Sequence, residues 1–573
     1  MEELRFNDII QKVFLYNENE PLSFTALYFW AFFGVVLAGY SFLYKRNHAR
    51  NAFLFVLSIF FYYKTSGFFF TILLFSTVTD YLLGFRIHAA EKPLHRKLWL
   101  AASISLNLIV LIYFKYAYFF ADSFNSLIGS NWQPINYFAQ AANSTLGTTF
   151  RVDRILLPVG ISFFTFQTMS YAIDVYRKEI EPVKNLTDFG FYVAFFPQLV
   201  AGPIVRASSF IPQLYQPYHI TRYQFGMALF WIINGLVKKV VLADYIAGNF
   251  NDRVFGNPAS YTGFENLMAL YGYSLQVYAD FSGYTDIAIG VAMLLGFYLP
   301  KNFDSPYKAE NCGNFWQRWH ISLSTWLKDY LYIPMGGNRK GTLFTYVSLS
   351  FLLFFVFLIS QSWLVLASIA FILALAIVLG QFFPALKKAY TTNINLMMTM
   401  LLGGLWHGAS WNMVLWGGLN GLGVVVNKLW RRISPWEGSQ LKIKRVIGIF
   451  ITFNFISFTR IWFRTGSSNT WEEMRANKSI VEEWFTANSM LNKLIHDLDF
   501  SIAPDVLIGF AGVFAVMFAG FIIHWLPESW KVIYRDRFAR AHISIQLTVT
   551  LAAIVFVYQV LSAGLQPFIY FQF

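Results

Sequence analysis

Residues 401–418, LLGGLWHGASWNMVLWGG, form an apolar, glycine-rich run long enough to lie in a bilayer, and they carry one ionisable side chain, His407. Leaving such a group without a partner in hydrocarbon is costly, so an ionisable residue there is by default a functional candidate. An imidazole in that setting has two uses. It can hydrogen-bond between helices, or, kept neutral by burial away from anions, it can accept the proton of an attacking hydroxyl. The residues alone leave both open. Gly403, Gly404 and Gly408 allow a second backbone or a ligand to approach closely, while Trp406 and Trp411 supply bulk.

His320 is the second candidate. It lies in NFWQRWHISLSTWLKDYLYIPMGGNRKG, residues 314–341, which is too charged to cross a membrane but strongly patterned. Trp316, Trp319, His320, Leu323 and Leu327 share one helical stripe, and Arg318, Ser322, Thr325 and Asp329 take the other side. That spacing predicts an amphipathic interfacial helix with His320 facing the protein, as a packed core histidine or a catalytic one. Of the nine histidines, His48, His88, His95, His219, His496 and His542 lie in or beside polar segments, and His524 in FIIHWLPE is expected to reach the interface. In YSLQVYADFSGYTDIAIG, residues 273–290, Gln276, Asp280, Ser282 and Asp286 interrupt an apolar helix; they line a polar path or pair with other helices. No dinucleotide fingerprint, phosphate loop, nucleophile elbow or zinc-protease motif stands in a supporting context, and no metal or bound cofactor is expected.

These residues need a scaffold, and composition says which kind. Of 573 residues, 56% are hydrophobic, 20% aromatic and only 13% charged. That excludes a chain of soluble domains and predicts an all-α polytopic membrane protein, one domain over 1–573. Apolar stretches of about 20 residues, each able to cross about 30 Å as a helix, recur from residue 25 to residue 565. Sheet is excluded by the absence of a barrel alternation. Three segments depart from plain spans. FFPQLVAGPIVR, residues 195–206, is broken by Pro197, Gly202 and Pro203 and reads as re-entrant; 314–341 is interfacial; and 342–382 is apolar enough for two extra spans.

The net charge of +13 is explained by topology. Lys45, Arg46 and Arg50, then Arg86, Lys92, Arg96 and Lys97, mark cytoplasmic loops and place the acidic amino terminus outside. Lys428, Arg431, Arg432, Lys442, Lys444 and Arg445 mark another inside loop, as do Lys531, Arg535, Arg537 and Arg540. The acidic stretch between them, about 464–505, with Glu472, Glu473, Glu482, Glu483, Asp497 and Asp499, reads as an extracytoplasmic loop. Lipids are the expected surroundings and nucleic acid is not a partner. The start lacks signal-peptide order, so the first span, TALYFWAFFGVVLAGYSFLY, serves as insertion signal. Cys312 is the only cysteine, which excludes a disulfide within the chain or a CxxC pair.

Laid side by side, LPVGISFFTFQ, FFPQLVAGPI, YADFSGYTDIAIG, FWQRWHISLSTWLKDYLYIPMGGNR, LLGGLWHGASW and the closing PFIYFQF resemble, in order, the motifs of the membrane-bound O-acyltransferase (MBOAT) family. Within it the chain resembles the alginate O-acetyltransferase branch. RWHISLSTW followed by GGNR and LWHGA is a specific combination. The resemblance implies a ring of tilted transmembrane helices around a thin centre pierced by a tunnel, with roughly eleven to fifteen spans plus re-entrant and interfacial helices. It places His407 near the tunnel's middle, His320 as the second family histidine, and Gly336–Arg339 in a region associated with the acyl donor. It further implies acetyl transfer from cytoplasmic acetyl-CoA to a polysaccharide outside, completed by an extracytoplasmic acetyltransferase partner, in a bacterial inner membrane. One departure is the apolar insertion between GGNR and LWHGA, where this branch usually has about one span.

On this reading His407 is the general base, with an acetyl-histidine relay as a variant, and His320 orients the donor or hydrogen-bonds in the tunnel. Arg318, Lys328, Arg339 and Lys340 meet donor phosphates or are ordinary inside charge. Trp316, Trp406, Gln276, Asp280 and Ser282 are tunnel or donor candidates. The alternatives are a D-alanyl transferase fed by a carrier protein, peptidoglycan O-acetylation, and, outside the enzymes, a transporter using Asp280, Asp286 and the broken segment 195–206. Against the transporter, no duplicated halves are visible.

Overall fold

The computed structural model describes residues 13–17, 21–147, 151–152, 155–200, 202–360, 362–435, 441–467 and 480–560. The first twelve residues, Glu472 and Glu473 of the acidic loop, and the closing PFIYFQF lie outside them. Every regular element among the described residues is helical. Helices satisfy their own backbone groups, which hydrocarbon cannot do.

The centre is built on the 32-residue helix Gly263–Leu294, about 48 Å long at 1.5 Å per residue. A reciprocal cap starts it. Thr262 Oγ accepts from Glu265 N at 3.3 Å, and Glu265 Oε2 accepts from Thr262 N at 2.9 Å. The helix is buried over most of its length and packs against Arg222–Leu236, Lys442–Thr465 and Ile480–His496. The second central feature is the hairpin of Pro384–His407 and Trp411–Ile433. Its helices meet backbone to backbone: a Cβ on Gly404 would lie 2.3 Å from the carbonyl oxygen of Met413, and one on Gly417 would lie 2.3 Å from that of Met400. Of the glycines beside His407, Gly404 therefore does let another backbone approach, whereas Gly403 and Gly408 face the side chains of Leu327 and Met413.

Six described helices are long and apolar enough to cross a membrane, or seven if Ala503–Gly509 and Ala511–Trp525, bent by 93°, form one span. This is fewer than eleven to fifteen, for two physical reasons. Asn47–Ala89, 43 residues long and broken by the turn Gly67–Phe69, has about twice the length one crossing needs. The central helices carry buried polar groups, among them Asp280, Asp286, Asn395 and Asn420, and so are not uniformly apolar.

The segment 195–206 contains one short helical turn, Phe196–Leu199, between Leu186–Ala194 and Ala207–Phe210; Phe195, Phe196, Leu199 and Val205 are buried. The insertion 342–382 forms two helices, Leu343–Ser360 and Trp363–Phe382, packed against Pro384–His407. Trp363, Leu364 and Phe371 on their outer side are exposed.

Candidate active site

His407 is the last residue of helix Pro384–His407, and Ser410, whose side chain accepts from Asn412 N at 3.1 Å, starts the next helix. The imidazole is 2% exposed. Its ring centre lies 5.0 Å from Trp406, 5.1 Å from Trp416 and 5.7 Å from Phe463. The His320 ring stands 6.0 Å away, so residues 87 positions apart in the chain share one chamber.

The expected continuous amphipathic helix is instead broken at His320. Cys312–Arg318 ends, His320 adopts φ +44° in the left-handed region, and Ile321–Leu327 begins. The stripe of Trp319, His320, Leu323 and Leu327 is buried as its pattern predicts, while Trp316 is half-buried. Such a backbone conformation is strained for a residue with a side chain and persists only where its surroundings hold it. Here Asn302 does. Ile321 N donates to Asn302 O at 2.9 Å, and Asn302 Oδ1 accepts from Ser322 N at 3.1 Å and Ser322 Oγ at 2.9 Å. The reversed amide would set an NH2 against Ser322 N–H, so the atom 3.2 Å from His320 Nδ1 is an acceptor. Nδ1 therefore carries the proton and Nε2 the lone pair.

The end of the His407 helix is fixed by two side chains that sequence reading missed. The last carbonyls of a helix lack partners within it. Tyr116 Oη donates to Leu405 O at 2.9 Å, and Lys115 Nζ donates to Trp406 O at 2.5 Å and Ser162 Oγ at 3.2 Å. Both come from the π-helical turn Ile112–Tyr116. Within IYFKYAYFF nothing marks Lys115 as more than a lysine in a span; its role depends on a register that only the fold supplies. Arg460 was missed too. It is 1% exposed and lies over the rings of Trp319, Phe463 and Trp416.

A cavity of about 1440 Å³ is lined by His407, Trp416, Gly403 and Gly404 at one end. It follows helix Trp411–Ile433 to Arg431 and Arg432, about 24 Å from Trp416 to Arg432 along the axis. Arg318, Lys328, Lys428 and Lys444 also line it, with Trp316 and Cys312. The structure thus brings together His407, Trp316, Arg318 and Lys328 of the sequence-expected residues. It adds Lys428, Arg431, Arg432 and Lys444, which the charge pattern alone assigned to topology.

The remaining expected residues lie elsewhere. Arg339 is exposed outside this lining, although Tyr332 and Asn338 beside it line the cavity and hydrogen-bond at 2.8 Å. Gly336, at φ +115°, makes the turn that GGNR requires. Trp406 packs on Phe163 and Phe166, 5.4 Å from each. Asp280 pairs with Lys239 at 2.6 Å, and Lys239 also pairs with Asp244 at 2.7 Å. Lys238 and Asn234 hold Asp286, each at 2.7 Å. Gln276 accepts from Asn251 at 2.8 Å, and the Ser282 hydroxyl is buried without a hydrogen-bond partner among the described residues. The two carboxylates of the transporter reading are therefore each held in place by a lysine. His524 does not reach an interface: it is 3% exposed, and its Nε2 accepts from Tyr307 N at 3.2 Å.

The chain matches the membrane-bound O-acyltransferase family over residues 55–386, which include His320 but stop short of His407. It is 34% identical over 443 residues to a probable alginate O-acetylase of Pseudomonas putida, covering 75% of this chain and 77% of that protein. It is 31% identical over 471 residues to a peptidoglycan O-acetyltransferase of Helicobacter pylori, covering 77% and 76%. With a teichoic acid D-alanyltransferase of Streptococcus thermophilus it shares 26% identity over 335 residues, 55% of this chain and 69% of that protein. An all-helical, multi-pass membrane protein with a buried histidine at the end of a basic cavity is thus also, by descent, an acyltransferase. The chain belongs to the membrane-bound O-acyltransferase family.

Proposed function

We propose that the protein transfers an acetyl group from acetyl-CoA, entering from the cytoplasm, to a hydroxyl of an extracytoplasmic polysaccharide, directly or through an extracytoplasmic partner acetyltransferase. The observation that carries this is the cavity that joins His407 to Arg431, Arg432, Lys428 and Lys444. A donor with phosphates at one end and a thioester at the end of a flexible arm matches both ends of it. His407 is the general base: it takes the proton of the attacking hydroxyl and returns it to the leaving thiolate. His320, with Nε2 as the lone-pair nitrogen, is placed to hydrogen-bond on the other side of the chamber. Only the acyl group need cross the membrane, because the histidine sits at the inner end of the donor's path. The basic loops support an amino terminus outside and a cavity mouth in the cytoplasm, and the bacterial relatives support an inner-membrane location.

The alginate O-acetylase relatives favour a polysaccharide acceptor such as alginate. A second reading, peptidoglycan as acceptor, is favoured by the Helicobacter pylori relative, which matches over a similar share of the chain.

The test uses the purified full chain in nanodiscs with labelled acetyl-CoA and the sole cysteine as reporter. Cys312 lines the cavity, so acetyl-CoA should slow its modification by a maleimide. Wild type should consume the thioester and His407→Ala should not, with both showing protection. Protection and turnover by an acyl-carrier protein thioester, with neither by acetyl-CoA, would replace this donor with the D-alanyl type.

A further inference from the structure

Arg460, in helix Lys442–Thr465, has no part in the transfer as described, yet its setting is unusual for a cation. The guanidinium lies 4.6 Å from the ring centre of Trp319, 4.9 Å from Phe463 and 5.9 Å from Trp416. None of its three side-chain nitrogens has a hydrogen-bond partner among the described residues. The Tyr307 hydroxyl, which donates to Ser274 O at 2.5 Å, stands beside the guanidinium with its oxygen able to accept from it, a neutral contact that does not balance the charge. Aromatic faces offset only part of the cost of burying a guanidinium. No carboxylate among the described residues supplies the rest.

The same rings place this cation beside the base. His407 stands 5.1 Å from Trp416 and 5.7 Å from Phe463, so imidazole and guanidinium share two rings, and Trp416 lines the cavity that ends at His407. A buried positive charge with no carboxylate partner among the described residues, set behind the Trp416 wall of the donor cavity and next to a general base, is arranged to meet negative charge that is not present at rest.

Resting on the acetyl-transfer reading, we propose that Arg460 donates hydrogen bonds to the oxyanion that forms on the thioester carbonyl during transfer. Attack by the acceptor oxygen makes a C–O bond, moves the carbonyl π pair onto oxygen and passes the hydroxyl proton to His407. Collapse returns that pair to the carbonyl and breaks the C–S bond, and the departing thiolate takes the proton from His407. The oxygen carries full charge only between these steps. A preorganised donor in a dry chamber acts most strongly there and little on the neutral ground-state carbonyl. Arg460 therefore contributes to kcat and not to donor binding.

The test compares wild type, Arg460→Met and Arg460→Lys in nanodiscs, reading thioester turnover and acetyl-CoA protection of Cys312. For Arg460→Met kcat should fall by about 10²- to 10³-fold, with KM and protection near wild type. Arg460→Lys, which keeps the charge but loses the planar fork, should also turn over more slowly than wild type with KM and protection intact. If the Met protein does not fold, the Lys protein decides. Wild-type kcat in either folded variant overturns the proposal, as does joint loss of turnover and protection, which marks Arg460 as a structural pin. A wild type that protects Cys312 with acetyl-CoA but never consumes it overturns the acetyl-transfer reading itself, and the proposal with it.

Discussion

Two groups of buried charge lie in the protein's interior and are built on opposite plans. In one, Lys239 sits between Asp280 and Asp244 at 2.6 and 2.7 Å, and next to it Lys238 holds Asp286 at 2.7 Å. Each cation meets its carboxylate where Val237–Asp244 packs on Gly263–Leu294. In the other, His407, His320 and Arg460 cluster around Trp319, Trp416 and Phe463, and Arg460 has no carboxylate partner among the described residues. Both groups break the rule that hydrocarbon excludes ionisable residues, but only in the first does every cation face a carboxylate. An ionisable residue in a span is thus an incomplete signal of chemistry; what faces it completes the signal.

The comparison predicts separable failures. His407→Ala should lower acetyl transfer by about 10²- to 10⁴-fold, the range a positioned base contributes, with an unchanged unfolding transition in detergent. Lys239→Met should do the reverse. Removing the cation that two buried carboxylates share should destabilise by about 3–5 kcal/mol, read as an earlier thermal transition, while any protein that stays folded keeps its KM for the donor. If Lys239→Met were stable and inactive, the two regions would have to exchange roles.

The same contrast explains what was legible in the chain before its fold was known. His407 was visible because it is the single ionisable group in an apolar glycine run, and the run survives as a helix end. Asp280 and Asp286 were equally visible, but their partners Lys238 and Lys239 lie about 40 to 50 positions away, and the pairing needs two helices in register. Arg460, in FISFTRIWFRT, reads like one of two basic residues near a helix end; Arg464 does pair, with Asp252 at 2.9 Å, and Arg460 has no such pair among the described residues. The stripe of 316–327 gave burial correctly and continuity wrongly. Periodicity reports which face is covered, and a single left-handed residue such as His320 leaves that face nearly intact. The helical, multi-pass class followed from composition, whereas the number of crossings depends on breaks and polar centres that composition averages away.

Between the two regions lies the hairpin that carries His407, and Gly404→Ala should disturb it by a smaller amount. The new Cβ would stand 2.3 Å from Met413 O and 3.0 Å from Gly417 Cα, both backbone atoms that cannot swing aside. Separating the helices should cost about 1–3 kcal/mol and tilt His407 away from Trp416, so turnover falls more than donor protection of Cys312 does. Unchanged turnover would mean that the close approach only fills space.

The smallest effect belongs at the cavity's outer end. Arg431 and Arg432 are exposed there, where water and salt screen a charge, so each contact with a donor phosphate should contribute only about 0.2–1 kcal/mol. Arg431→Ala should raise KM for acetyl-CoA by no more than about fivefold, leave kcat alone, and lose its effect in high salt. That outcome would place the whole gradient along one helix: solvated cations that gather the donor at Arg431, and a desolvated chamber that acts on it about 24 Å deeper, near Trp416 and His407. A change in kcat instead would mean that the outer cations reach into the chemistry, and the division between binding and reacting ends would have to be redrawn.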